Sequence, residues 1–384
     1  MKVHSISLKI IKFSYLLIAK PILLLFLPDK VHMSMIRFSH WIGSKRQSRK
    51  IMRIIFIGKR DKRLEQKFFG IDYRSPVGLA AGFDKNAEII PVISSLGFGF
   101  GVVGSVTAKS SEGNPKPWFY RLPKTQSLVI NSGFASHGSE IIINRVKKYH
   151  SGTLYKFPIS ISVAQTNSDE VIDEKTGIND YITTIKRTSG IRNIKMIEIN
   201  ISCPNIYGGK DFTEPDRLDR LLMAIDKIKI DKPIFIKFPA DLSWKRAKAL
   251  LDVMVNHHVD GVVLSNLAVN RTKIELKENL PNKTLGNLSG KPIRWLSNEL
   301  IRLTYRNYGR KLMIIGAGGI FSAKDAYIKI KFGASLVEMV TGVIINGPQL
   351  AAEINLDLLR LLEEDGYENI NQAIGTDVLT YMKE

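Results

Sequence analysis

Glu198-Ile-Asn-Ile-Ser-Cys-Pro-Asn205 is the stretch on which the reading of this chain turns. Apolar residues alternate from Met196 to Ile201, the period of a strand packed on one face. Pro204 has no N–H and cannot continue a central ladder, so the strand is expected to stop there. It would deliver Asn200, Ser202, Cys203 and Asn205 together at its end. A cysteine by itself is more often a small buried apolar residue than a reactive one. The rest of the chain has to decide what Cys203 is.

Outward from that strand the same texture recurs. Short apolar or β-branched runs lie at Val77–Leu79, Gly99–Val106, Ile159–Val163, Ile234–Phe238, Gly261–Leu264, Met313–Gly316 and Leu336–Val340. Most are separated by segments able to hold a helix, such as Arg217–Ile230, Trp244–His257, Pro292–Tyr308 and Ser322–Phe332. Eight such repeats predict an α/β fold, a (β/α)8 TIM barrel with functional groups at the C-terminal strand ends. The alternative, a doubly wound sheet, usually carries GxGxxG after its first strand, and none follows Val77–Leu79. The expected division is a helical extension over 1–66 and a barrel over 67–384.

The strand ends carry a consistent set of residues. After the first come Ala80-Ala81-Gly82 and Asp84-Lys85-Asn86, and after the second Gly104-Ser105. Lys237 ends the fifth, Ser265-Asn266 the sixth, Gly316-Ala-Gly-Gly319 the seventh and Thr341-Gly342 the eighth. Small residues let a ligand approach the backbone, and glycine turns at strands seven and eight are where such barrels commonly bind phosphate. Each residue also has an ordinary reading: solvated lysines, amides capping strand ends, a plain glycine turn. Their convergence on one face favours the functional reading.

Composition adds charge and location. The net charge is +20, and thirteen Lys or Arg face one acid, Asp29, within the first 60 residues. The apolar stretch 15–27 is split by Lys20-Pro21 and falls short of a bilayer span, and no signal-peptide cleavage pattern follows it. Residues 29–56 read as a basic amphipathic helix or pair suited to an anionic membrane surface; packing on the main domain is the alternative. One cysteine excludes an intramolecular disulfide and suits a reducing compartment. The seven histidines show no ligand spacing, so no metal is expected.

Val77-Gly-Leu-Ala-Ala-Gly-Phe-Asp-Lys-Asn86, Gly113-Asn-Pro-Lys-Pro117, Asn200-Ile-Ser-Cys-Pro-Asn205, Gly286-Asn-Leu-Ser-Gly-Lys-Pro292 and Ile315-Gly-Ala-Gly-Gly-Ile320 together resemble dihydroorotate dehydrogenase. The N-terminal basic helices resemble its membrane-associated, quinone-using class 2. The resemblance implies FMN on the barrel top, its phosphate held by Gly318, Gly319, Thr341 and Gly342, with Gly290 also among the cofactor-binding residues. Ala80, Ala81, Gly82, Ser105, Asn200 and Ser265 would line it, and Lys237 would meet its N1/O2 edge. Lys85, Asn131, Gly133, Phe134, Asn200, Asn205 and Asn266 would hold a pyrimidine substrate, and Cys203 would be the general base. Electrons would pass to a quinone at the cytoplasmic face of an inner membrane; a nucleic-acid partner is not expected.

The chain also departs from that pattern. Class 2 members carry serine where Cys203 stands, and cysteine belongs to soluble class 1. Loop Asn131–His137 is one residue short and lacks an arginine, Ala135 replaces an amide, Ser162 an asparagine, and Leu267-Ala268 hydroxyl residues. A related FMN oxidoreductase for another cyclic or pyrimidine-like substrate, and a non-catalytic flavin-binding membrane protein, therefore stand as alternatives.

Overall fold

A computed structural model describes residues 2–149, 154, 156–171, 173–202, 212–271, 274–281 and 284–379. Thirteen strands are described: β1 (Gln66–Phe68), β2 (Ile71–Tyr73), β3 (Val77–Leu79), β4 (Phe100–Val106), β5 (Phe119–Leu122), β6 (Ser127–Ile130) and β7 (Ile159–Val163), then β8 (Ile194–Asn200), β9 (Ile234–Phe238), β10 (Gly261–Leu264), β11 (Asn287–Leu288), β12 (Met313–Ala317) and β13 (Leu336–Met339). Eight of them close a parallel barrel in the order β10-β12-β13-β3-β4-β7-β8-β9. All eight expected strands are present, with ends displaced by at most two residues. The strand around Asn200 starts earlier than expected, at Ile194, and stops at Asn200 rather than Ile201.

Two β elements escaped the sequence reading. β1 and β2 form an antiparallel hairpin before the barrel, and β5, β6 and β11 form a small sheet above it. That sheet joins residues separated by more than 150 positions, Leu288 opposite Val129, a pairing with no local signature. It packs its own cluster of Leu122, Val129 and Leu288.

The N-terminal region is helical: α1 (Lys2–Ser14), α2 (Lys20–Leu24), α3 (Pro28–Ser44) and α4 (Arg46–Phe56). A π-helical turn, Tyr15–Ala19, joins α1 to α2 just before Pro21. Pro21 lacks the N–H that the preceding turn would use, and a widened turn absorbs that loss. These helices bond to the barrel: Tyr15 Oη donates to Ile344 O at 2.6 Å, and Lys12 pairs with Glu353 at 3.2 Å. Arg121 Nη1 donates to Leu23 O at 2.8 Å, and its Nη2 to Leu24 O at 3.1 Å and Phe26 O at 2.5 Å. A large apolar surface nevertheless faces outward, with Leu17 71%, Leu25 83% and Trp41 56% exposed. Among the described residues, no helix is long and apolar enough to cross a membrane.

Candidate active site

The C-terminal ends of β4, β8 and β10 meet in one polar network. Asn200, the last residue of β8, donates from Nδ2 to Ser105 Oγ at 3.0 Å. Its Oδ1 accepts from Ser202 N at 3.3 Å and from Asn266 Nδ2 at 3.2 Å. Asn266 Nδ2 also donates to Ser202 Oγ at 2.9 Å, and the Ser105 and Ser162 hydroxyls lie 3.0 Å apart. Asn200 and Asn266 are thus oriented by side chains from other strands as well as by local backbone, which goes beyond strand-end capping. Ser265, beside Asn266, keeps a buried Oγ with no hydrogen-bond partner.

Under this network lies a buried charge cluster. Lys237 on β9 is the register neighbour of Asn200, and its Nζ donates to Glu338 Oε1 at 2.5 Å with Glu198 Oε2 at 3.5 Å. Both carboxylates are fully buried. Burial raises the Glu198 carboxyl to about 8, reinforced by Glu338 and opposed by Lys237. Burial pushes the Lys237 ammonium down, yet the two glutamates outweigh it and leave the group above its usual range. One ammonium between two acids is therefore near electrical balance at neutral pH when Glu198 keeps its proton. The sequence reading missed both acids, although a Glu inside the apolar runs Met196–Ile201 and Leu336–Met339 was itself a signal.

Lys85 stands in the opposite condition. Asp84 anchors its loop, accepting from Glu88 N at 2.8 Å and Ile89 N at 3.0 Å, and burial raises its carboxyl to about 6. Lys85 Nζ is buried without a hydrogen-bond partner, 4.7 Å from the centre of the Trp118 ring and 5.2 Å from that of Phe119. Desolvation lowers it to about 8, with Asp29 the opposing influence. Helix α3 supplies part of this wall. Asp29 accepts from Trp118 N at 3.1 Å, and the His32 ring packs against Phe83 and Phe119. Burial, then the Lys85 charge, lowers His32 to about 4, so it is neutral at physiological pH.

Beside Lys85, the backbone of the first strand end is held open. Ala80 N donates to Met339 O at 3.2 Å and Gly82 N to Gly104 O at 2.7 Å, with Ala81 between them. Gly82 has φ +104, and a Cβ there would meet nothing within 4 Å. Across the barrel, Gly318 and Gly319 have φ +96 and +71, values that disfavour any side chain. A Cβ on Gly342 would lie 2.1 Å from Ile320 O, and one on Gly290 2.4 Å from Gln126 O. Thr341 Oγ1 lies 2.8 Å from Ser289 Oγ, so Gly290 and Thr341 adjoin. Arg294 Nε donates to Gly319 O at 2.8 Å and its guanidinium pairs with Asp325 at 2.8 Å, fixing the turn from outside.

Loop residues Asn131, Gly133 and Phe134 form a third group. Asn131 N donates to Trp118 O at 2.8 Å, which links this loop to the Lys85 wall. Asn131 Oδ1 accepts from Asn114 Nδ2 at 2.9 Å, and Asn167 Nδ2 donates to Asn114 Oδ1 and to Gly133 O, each at 3.1 Å. Gly133 and Phe134 both have positive φ, 57 and 56. Asn114 and Asn167 were not singled out from sequence; only the fold brings them to Asn131. Cys203 and Asn205 lie outside the described residues. Among the described residues no group of three or more His, Cys, Asp or Glu could hold a metal ion.

Comparison with known proteins places the chain in a family. Residues 63–362 match the family described as dihydroorotate dehydrogenase. A dihydroorotate dehydrogenase (quinone) of Trichormus variabilis is 32% identical over 361 residues, covering 91% of this chain and 94% of the relative. Those of Gloeobacter violaceus and Sulfurimonas denitrificans are 35% and 36% identical, covering 83% and 82% of this chain and 87% and 85% of theirs. The crystal structure of the Eimeria tenella enzyme in complex with ferulenol superposes with a TM-score of 0.75 at 27% identity, covering 87% of this chain and 95% of that one. With its eight-stranded barrel and a polar network at the strand ends, this chain belongs to the dihydroorotate dehydrogenase family.

Proposed function

We propose that the protein oxidises dihydroorotate to orotate with FMN and passes the electrons to a quinone. The observation that carries this reading is the orphaned Lys85 ammonium, buried at a barrel mouth that also presents oriented amides. An unpaired buried cation is costly, and a carboxylate-bearing ligand would satisfy it. The residues present fit FMN. Glycines 318 and 319 keep the turn clear of side chains where a phosphate would approach, Gly82 leaves space, and Ser265 Oγ is a buried polar group with no hydrogen-bond partner among the described residues. Bound FMN would supply a two-electron acceptor for hydride.

Lys85 would hold the substrate carboxylate, and Asn200 and Asn266 would pair with the alternating C=O and N–H groups of the ring. Ala80, Ala81 and Ser105 would line the flavin, and Gly290, Thr341 and Gly342 would complete its phosphate site. Lys237, already bonded to Glu338, would offer its remaining N–H groups toward the flavin edge, where negative charge develops on reduction. Cys203 would take the C5 proton as a thiolate while the C6 hydrogen leaves as hydride, so that the C5–C6 bond becomes double. Asn205 would sit beside it, and Asn131, Gly133 and Phe134 would close over the substrate.

Residues 1–66 would act as a peripheral extension that faces an anionic membrane and receives the quinone, with the barrel over 67–384 in a reducing, cytoplasmic setting. Exposed Leu17, Leu25 and Trp41 on the basic α1–α3 segment support this. A second reading, a different pyrimidine-like substrate, draws on Asn131, whose Oδ1 is already occupied by Asn114.

The test is anaerobic. FMN is confirmed in the detergent-purified protein by its absorbance, and L-dihydroorotate is added. Bleaching of the flavin peak, reversed by a soluble quinone, is the expected result. A flavin that dithionite bleaches and dihydroorotate does not would reject dihydroorotate as substrate and favour the second reading. A Cys203→Ala variant that turns over unchanged would remove Cys203 from the mechanism.

A further inference from the structure

A cleft of about 910 Å³ opens beside α4, well apart from the strand-end network, and its lining is strongly basic. Arg46, Arg49, Lys50 and Arg53 follow the i, i+3, i+4, i+7 spacing of one helix face, and Arg60 closes the cleft beyond the turn at Gly58. No acid lines it among the described residues. Among the described residues, none of these five cations forms an ion pair, whereas nearby Arg63 is bound to both Asp61 and Glu363. Like charges on one helix face repel, so this arrangement is unfavourable until an anion occupies it.

One of these cations is anchored and another lacks a partner. Arg49 Nη1 donates to Gly43 O at 2.6 Å and Ser44 O at 3.0 Å, which fixes its guanidinium against the C-terminal carbonyls of α3. Arg53 Nε is buried with no hydrogen-bond partner. Partial burial lowers both Arg53 and Arg60, and Arg74 presses on each; Glu65 is the acid whose charge reaches Arg60. Guanidinium groups in this density match the oxygens of a phosphate, which accepts paired N–H bonds.

We propose that the cleft bounded by Arg46, Arg49, Lys50, Arg53 and Arg60 binds a phosphate-bearing anion. The phosphate comes either from an acidic phospholipid headgroup or from a free phosphate compound. Exposed Ile51 and Ile54, each one residue on from a lining cation, offer an apolar neighbour for acyl chains. The lipid source rests on the membrane-facing reading of residues 1–66; the anion site itself does not.

The experiment uses the full-length flavin-loaded protein in two arms. Sedimentation with phosphatidylcholine vesicles, with and without phosphatidylglycerol, measures lipid binding, and calorimetry with pyrophosphate measures the free anion. Arg53→Gln/Arg60→Gln is compared with Arg306→Gln/Lys324→Gln, which removes equal charge from exposed barrel helices. The expected result is saturable binding that the cleft variant weakens by about tenfold or more and the control leaves within about twofold. Vesicle binding lost in this way and displaced by pyrophosphate identifies the headgroup. Cleft-dependent pyrophosphate binding without vesicle binding identifies a free anion. Equal losses in both variants, or no cleft-dependent binding in either arm, overturn the site. Vesicle binding indifferent to the cleft variant rejects the headgroup as the source and, where pyrophosphate binding is indifferent too, overturns the site, while leaving the membrane-facing reading intact.

Discussion

Two lysines in this barrel are buried under opposite terms. Lys237, below the strand ends, has its charge met inside the chain by Glu338 and Glu198. Lys85, at the mouth, lies against the faces of Trp118 and Phe119, feels the more distant charge of Asp29 and, among the described residues, has no hydrogen-bond partner. The first arrangement has its charge balanced without a ligand, although among the described residues Glu198 Oε1 and Oε2 and Glu338 Oε2 keep no hydrogen-bond partner, so it belongs to the stability of the fold as well as to any chemistry above it. The second is incomplete by itself, and completes itself when an anion arrives. Burial alone therefore says little about a lysine's role; the balance of charge around it separates structure from site.

The strongest way to break the comparison is Lys237→Met. It strands two carboxylates in the barrel interior, and removing one member of a buried ion pair costs about 3–5 kcal/mol. Urea unfolding should show that loss; a midpoint close to wild type would mean that the fold does not depend on this cluster. Lys85→Met should do the reverse. Substrate-driven flavin reduction should fall by roughly 10²-fold, while the ligand-free melting temperature stays level or rises, because a desolvated charge has been removed. A melting temperature several degrees lower would make Lys85 structural and collapse the distinction.

The pH dependence sharpens it further. Lys85 titrates at about 8 in the free protein, so its charge is lost as pH rises through that value. kcat/KM should therefore decline above about pH 8, and Lys85→Arg, which stays protonated, should remove that limb. A limb unchanged in Lys85→Arg would assign it to another group.

The smallest effect is expected at Glu198. Its folded carboxyl, raised to about 8, lies above its unfolded value. Its contribution to stability is thus complete at low pH and lost as pH climbs toward 8. Glu198→Gln should cost less than about 1 kcal/mol near pH 6, and should flatten the decline in unfolding free energy between pH 5 and 8. An unaltered slope would show that Glu198 is not the group holding the proton.

Legibility in the sequence followed the range of the interactions involved. The strands at Ile159–Val163 and Ile234–Phe238 were readable because every side chain in them is buried, which favours a run of apolar or small residues that Lys237 alone interrupts. The helix Trp244–Met254 was readable from its periodicity, and its end at Met254 rather than His257 is ordinary fraying of a local signal. Gly318 and Gly319 announced a turn because only positive φ explains two adjacent glycines there. The sheet of β5, β6 and β11 gave no such notice, since its partners are distant in sequence.

The sequence by itself determined the barrel, the face that carries chemistry, the basic N-terminal helices and the family. Those features rest on local periodicity, on glycine and proline geometry, and on residue types in a fixed order. Only the tertiary structure decided what each polar group meets. It joined Asn200 to Ser105 and Asn266, gave Lys237 two acids from other strands, left Lys85 without an ion pair among the described residues, and gathered α4's cations around an open cleft. The physical reason is that the state of a buried charge depends on groups within a few ångströms, and the chain brings those together from positions 101 residues apart in the case of Lys237 and Glu338.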